Sequence, residues 1–309
     1  MMLPTPIKLL LFFFLFILHF SCKQNPSAIP PVDTKVFSDY WYQGQGEIST
    51  YNLSQSRYGE IHDGEVIFVF VTEDFSRSKQ VKLDDPARHV SDAIKVMKLN
   101  TLKEFITGIY KYSMMSTVFT PINYQDYPHS LKLVASSQDW CGQSFMQANY
   151  KGNRYEYRQM SYFEDEGDTE YSLVSTSLED EIWTKIRVAP NTLPVGKVNM
   201  VPSAFYIRLS HHENKVYEAM TTLTSSQINY VYRIEYPDLE RSLEILFQKE
   251  FPYRILSWKE VYGNNETTTA TLSSTMQSDY WNHHHPADEP MRNELKIGGA
   301  VRDSTYRID

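Results

Sequence analysis

Cys141 is the residue whose chemistry is weighed first, in the segment Ser136-Ser137-Gln138-Asp139-Trp140-Cys141-Gly142-Gln143. A cysteine nucleophile needs a histidine or another cation beside it to hold the thiolate. His62, His89 and His129 stand at no informative spacing, and no local signature of a cysteine hydrolase surrounds the thiol. The expected role of Cys141 is therefore that of a small, buried and unreactive hydrophobe, with Trp140 and Cys141 kept as the candidate site. His283-His284-His285 and His211-His212-Glu213 suggest a metal. Adjacent residues of a strand point to opposite faces, and neither cluster has the spaced ligands of a dedicated site. The run from Glu164 to Glu170 offers hard oxygen ligands but lacks the order of an EF-hand loop. Walker-type loops, His-Glu-x-x-His and Gly-x-Ser-x-Gly are absent. The expectation is a protein without catalytic residues, metal or cofactor.

The other cysteine carries a different chemistry. Lys8 precedes an apolar run over residues 9–18, which closes on Leu18-His19-Phe20-Ser21-Cys22. The run is short for a spanning helix and has the basic flank of a secretory signal. Ser21-Cys22 resembles a bacterial lipobox, in which the cysteine thiol is acylated before cleavage makes it the N-terminus. The expected organisation is a signal peptide at 1–21, a lipidated, Pro-containing tether at 22–38, one β-rich domain at 39–281, and a polar, disordered tail at 282–309. Each buried CH₂ of an acyl chain contributes about 0.8 kcal/mol of membrane affinity. With Cys22 acylated, Cys141 has no partner for an internal disulfide.

Composition narrows the class. A formal net charge of −8 argues against a nucleic-acid binder, which would carry a basic patch. The 22 Tyr, 16 Phe and 5 Trp, with abundant Thr and Val, favour pleated, half-buried surface. The predicted fold is mainly β: a large antiparallel sheet, curved or barrel-like, with one or two short helices.

Strand signals recur along the chain. Glu65 to Val71 reads as a central strand, and a hairpin turning at residues 75–78 would pair it with Lys79 to Leu83. Residues 143–163 read as a hairpin about Lys151-Gly152-Asn153. Ile228, Tyr230, Tyr232, Ile234 and Tyr236 alternate with other residues until Pro237 ends the strand. Leu243, Ile245 and Phe247 repeat the pattern, and residues 255–262 supply a further strand. The tyrosine rows, Tyr155 and Tyr157 with Tyr230, Tyr232 and Tyr236, could line a groove, but the expected use is packing between sheet and helix or cross-strand pairing on the outer face. The best helix begins at Ser177, whose hydroxyl would cap it with Asp180 three positions on, placing Leu178, Ile182 and Ile186 on one face.

Six stretches carry a family resemblance: Arg57-Tyr58-Gly59-Glu60-Ile61-His62, Lys79-Gln80-Val81-Lys82-Leu83-Asp84, Tyr112-Ser113-Met114-Met115, Ser137-Gln138-Asp139-Trp140-Cys141-Gly142, Leu178-Glu179-Asp180-Glu181-Ile182-Trp183 and Glu235-Tyr236-Pro237-Asp238-Leu239. With them the chain resembles a family of Gram-negative envelope lipoproteins often labelled "septum formation inhibitor Maf". The Ser-x-Ser-Pro-Arg-Arg loop of Maf nucleotide pyrophosphatases is absent from this chain. The resemblance implies an envelope location and supplies no catalytic residue. Lys23 stands where an enteric inner-membrane retention signal would place Asp, which points to the outer membrane, facing the periplasm. The expected function is non-enzymatic binding or assembly, with the membrane and an envelope ligand or protein as partners. The alternatives are a lipid or lipoprotein carrier with a concave sheet and an envelope hydrolase using Cys141.

Overall fold

The computed structural model describes Ile29 and residues 31–263 and 265–298. Among the described residues the first element is helix α1 (Thr34–Trp41), followed by strands β1 (Gly46–Arg57), β2 (Glu60–Ser76), β3 (Ala93–Thr107), β4 (Tyr110–Pro121), β5 (Lys132–Gln138), β6 (Gln143–Tyr150), β7 (Arg154–Ser161) and β8 (Thr169–Val174). The short β9 (Ser177–Leu178) leads into α2 (Glu179–Val188), β10 (Gly196–Val201) and α3 (Ala204–Ser210). Then come β11 (Tyr217–Ser225), β12 (Asn229–Tyr236), β13 (Arg241–Gln248), β14 (Ile255–Val261), β15 (Thr267–Ser278) and α4 (Met291–Glu294).

All the strands form one sheet in the order β8-β7-β6-β5-β4-β3-β2-β1-β15-β14-β13-β12-β11-β10-β9. Every pairing is antiparallel except that of β9 with β10. The first and last strands meet at the centre, Gly46 opposite Ser278, and the two edges, β8 and β9, are consecutive in sequence. The sheet is curved but not closed. The link between its edges still touches both sides of the gap: Ser175 N–H donates to Asn153 O (3.0 Å), and Thr176 Oγ1 donates to Asn199 O (2.5 Å).

Alternation gives the sheet its apolar inner face. Val66, Phe68 and Phe70 of β2 are buried, as are Tyr230, Tyr232, Ile234 and Tyr236 of β12 and Leu243, Ile245 and Phe247 of β13. The tyrosine rows are therefore core. The 143–163 hairpin is β6 and β7, with Tyr150 opposite Tyr155 and Gly152 at φ +81° in the turn.

Inside the curve lies α2. Nine of its ten residues are buried, and only Trp183 is partly open. Its side chains reach walls on several sides: Arg187 to β1, Thr184 to Thr120 of β4 (2.6 Å), and Trp183 to Phe68 and Trp258. Ile182 and Ile186 are fully buried, as their spacing implies.

Four sequence expectations change. Residues 79–83 do not pair as a strand with β2; a single bridge joins Phe75 to Lys82, because β2 continues to Ser76 and pairs along its length with β3. Ser177 does not cap α2. Its backbone is committed to Met200 in the parallel pair, Leu178 is the N-cap, and Asp180 accepts from α3 instead. Helix is more frequent than one or two segments, since Asp33 caps α1 (2.8 Å to Lys35 N) and Ser203 caps α3 (3.3 Å to Phe205 N). The start of the polar tail, 282–298, forms turns and α4, with Leu295 buried and Gly298 N–H donating to Glu65 (2.8 Å).

Candidate functional site

In a meander, alternate turns share an end. Residues 58–59, 108–109, 139–142, 162–168, 237–240, 262–263 and 265–266 lie at one end of the sheet, with α3 beside them. A cavity of about 640 Å³ opens there between α2, α3 and the inner faces of β1–β4 and β14. That volume falls within the ~300–1,000 Å³ usual for small-molecule sites.

The register of β2, β3 and β4 explains the space. Phe68 is opposite Thr101, and Thr101 opposite Ser116, so two short side chains stand where neighbouring rows carry Phe70, Leu99 and Val118. Phe68 stacks on Trp258 (5.3 Å, 3°), and Trp183 meets both edge-on (5.4 and 5.3 Å). Together these rings offer a flat apolar wall.

The polar part of the wall is a chain of charges. Arg241 holds Glu179 through two bonds (2.6 and 2.7 Å) and Glu260 through a third (2.8 Å). Desolvation pushes the Glu260 carboxyl up, but Arg241 and then Lys103 hold it below its ordinary value. Asp180 accepts from Ala204 N (2.9 Å) and Ser203 Oγ (3.1 Å), and burial, reinforced by Glu179, pushes it up to about 7. Lys103 of β3 projects into the same cavity while only 6 % exposed. Burial pushes its ammonium down, with Glu260 opposing and Arg241 reinforcing. At the mouth, the Arg57 guanidinium lies over the rings of Tyr58 (4.5 Å) and Tyr112 (5.6 Å) and donates to Leu209 O.

Deeper along α2, the charges are closed off from the cavity. Arg187 grips Glu47 through two bonds of 2.6 Å, both side chains fully buried, and lies over the rings of Phe70 and Trp41. Lys185 pairs with Glu181 at 2.5 Å; burial pushes the acid up and the amine down, each to about 7.

The residues singled out from sequence lie elsewhere. Cys22 is outside the described residues. Cys141 is exposed rather than buried, at the tip of the β5–β6 turn, next to a Trp140 that is 73 % exposed. The turn is fixed by Asp139, which accepts from Cys141 N (2.6 Å) and Gly142 N (3.2 Å), so the side chains on either side project outward. Among the described residues no hydrogen bond or ion pair joins the Cys141 thiol to a histidine, and no group of three or more His, Cys, Asp or Glu is gathered for a metal. Glu166 of the acidic loop engages Ser161 (2.5 Å), His211 (2.8 Å) and Arg208 (3.2 Å), which ties that loop to α3. His283 turns back on Asp279 (3.0 Å).

The cavity residues were missed because each reads as ordinary strand or helix. One signal was available: Met97, Leu99, Thr101, Lys103 and Phe105 share one parity of β3, and Lys103 is the charge within that run, while Lys95 at the same parity lies exposed near the start of the strand. Compared with known proteins, the chain matches no family model and no curated protein.

Proposed function

We propose that this is a lipid-anchored envelope protein, attached through Cys22, sited at the outer membrane and facing the periplasm, which binds an amphipathic small molecule without transforming it. The observation that carries the binding role is the cavity of about 640 Å³ with a Phe68–Trp183–Trp258 wall and buried charge beside it. Preformed, largely apolar pockets with a few placed polar groups are the usual form of such sites. The export signal and lipobox support the location.

Two measurements test the two halves. Organic extraction of purified Cys22→Ala protein, followed by mass spectrometry, is expected to yield a co-purifying amphiphile near one per chain, and Ser116→Phe, which fills the floor, is expected to expel it. Empty wild-type protein that also fails to bind an added fluorescent amphiphile would overturn the binding role. Acylation of Cys22 in native protein is expected as a mass increment on the peptide beginning there; an unmodified start removes the anchor.

A further inference from the structure

We propose that the molecule held in the cavity has an anionic head, a carboxylate or phosphate monoester, seated on the Lys103 ammonium, with its apolar body along Phe68, Trp183 and Trp258. This specifies the ligand of the site proposed above and rests on that reading.

Most of the charged groups of the wall are already engaged. Both oxygens of Glu179 are taken by Arg241. Glu260 accepts from Arg241 (2.8 Å) and Tyr262 (3.4 Å), and Asp180 from Ala204 N and Ser203 Oγ. Ser56 donates to Glu266 at the mouth (2.7 Å), and the remaining acids, Asp238 and Glu240, are exposed to solvent on the rim. Lys103 differs from all of them. Its Nζ makes no hydrogen bond and no ion pair within 4.0 Å among the described residues, although the residue is 94 % buried and lines the cavity. The Nε–H groups of Arg57 and Arg241 are also unpaired, but both guanidinium groups bond through their other nitrogens, whereas all three N–H groups of Lys103 are without an acceptor among the described residues, which is costly for an ammonium so far out of bulk water.

The charge that matters is local to the ammonium: Glu179, Asp180, Asp238, Glu240, Glu260 and Glu266 make the lining as a whole acidic, with Arg57 and Lys103 as its Arg and Lys residues, but Glu179 is taken up by Arg241 behind the wall and Asp238 and Glu240 lie out on the rim. Glu260 is shared between Arg241 and Lys103, so it steadies the ammonium without occupying it. The three rings lie on the same cavity wall, so a head on Lys103 leaves an apolar body beside them.

Calorimetric titration of the full mature chain with dodecanoate, dodecyl phosphate, dodecanol and dodecylamine separates the possibilities. Wild type is expected to bind dodecanoate or dodecyl phosphate about tenfold or more tightly than dodecanol, and whichever acid binds tighter identifies the head. Lys103→Met is expected to abolish that preference, and Lys103→Arg to keep it. Equal binding of acid and alcohol by wild type, a preference for the amine, or an acid preference that survives Lys103→Met would each overturn the assignment while leaving the cavity reading intact. Binding of none of the four would overturn the cavity reading itself.

Discussion

Glu47 and Arg187 are both fully buried, and removing either leaves the other charge without a partner in the interior. Glu47→Gln is expected to cost roughly 3–5 kcal/mol, read as a large fall in urea midpoint, whereas a change at an exposed surface site stays within about 0.5 kcal/mol. Cys141 is such a surface site. Its thiol is expected to react stoichiometrically with a maleimide in the native state, and Cys141→Ala to leave the melting temperature unchanged; protection from the reagent until unfolding would contradict the exposed turn. Asp180 gives the pH dependence. Its folded pKa, about 7, lies above the ordinary 3.8, so the folded chain keeps a proton that the unfolded chain releases between those values. Stability therefore falls as pH rises through that window. Asp180→Asn is expected to lose roughly 2–3 kcal/mol less than wild type between pH 5 and pH 8, measured by urea unfolding. None of these roles was visible in residue type alone, because alternation tells which side of a strand a charge occupies and not what covers it.

Elements were more legible than residues. The β6–β7 hairpin, β12 ending at Pro237, and β13 and β14 all follow from period-two alternation and turn chemistry. What failed depended on distant partners. The hairpin proposed at 65–83 lost to a longer register with β3, and the cap at Ser177 lost to a parallel pairing with residues that follow α2 in the chain. Gly64 shows how tightly those registers are held: a Cβ there would lie 2.3 Å from Glu104 O and 2.8 Å from Phe105 Cβ. Gly64→Ala is expected to destabilise by about 1–3 kcal/mol, since backbone on the neighbouring strand must move. The interior helix was legible as a helix from Leu178, Ile182 and Ile186, but its burial on nearly every side was not, because six of its ten residues are polar or charged types that normally mark a solvated face.

At the scale of the whole molecule, the chain divides at the seam between β8 and β9. Among the described residues only β1 with β15 joins the two halves by strand pairing, yet α2, from the second half, fills the curve made by the first. Co-expressed segments 31–175 and 176–298 are therefore expected to co-purify as a one-to-one complex, and each alone to aggregate; independent solubility of the first segment would mean that α2 is dispensable to it. The mainly β class was readable from composition, while the helix at its centre was not. The N-terminal helix also sets a direction. α1 packs Phe37 and Tyr40 on Phe251, and Trp41 on Phe70, at the end of the curl remote from residues 58–59, 262–263 and 265–266. The opening of the cavity therefore faces away from the side on which the chain enters α1, so a molecule reaching it need not pass the segment that precedes that helix.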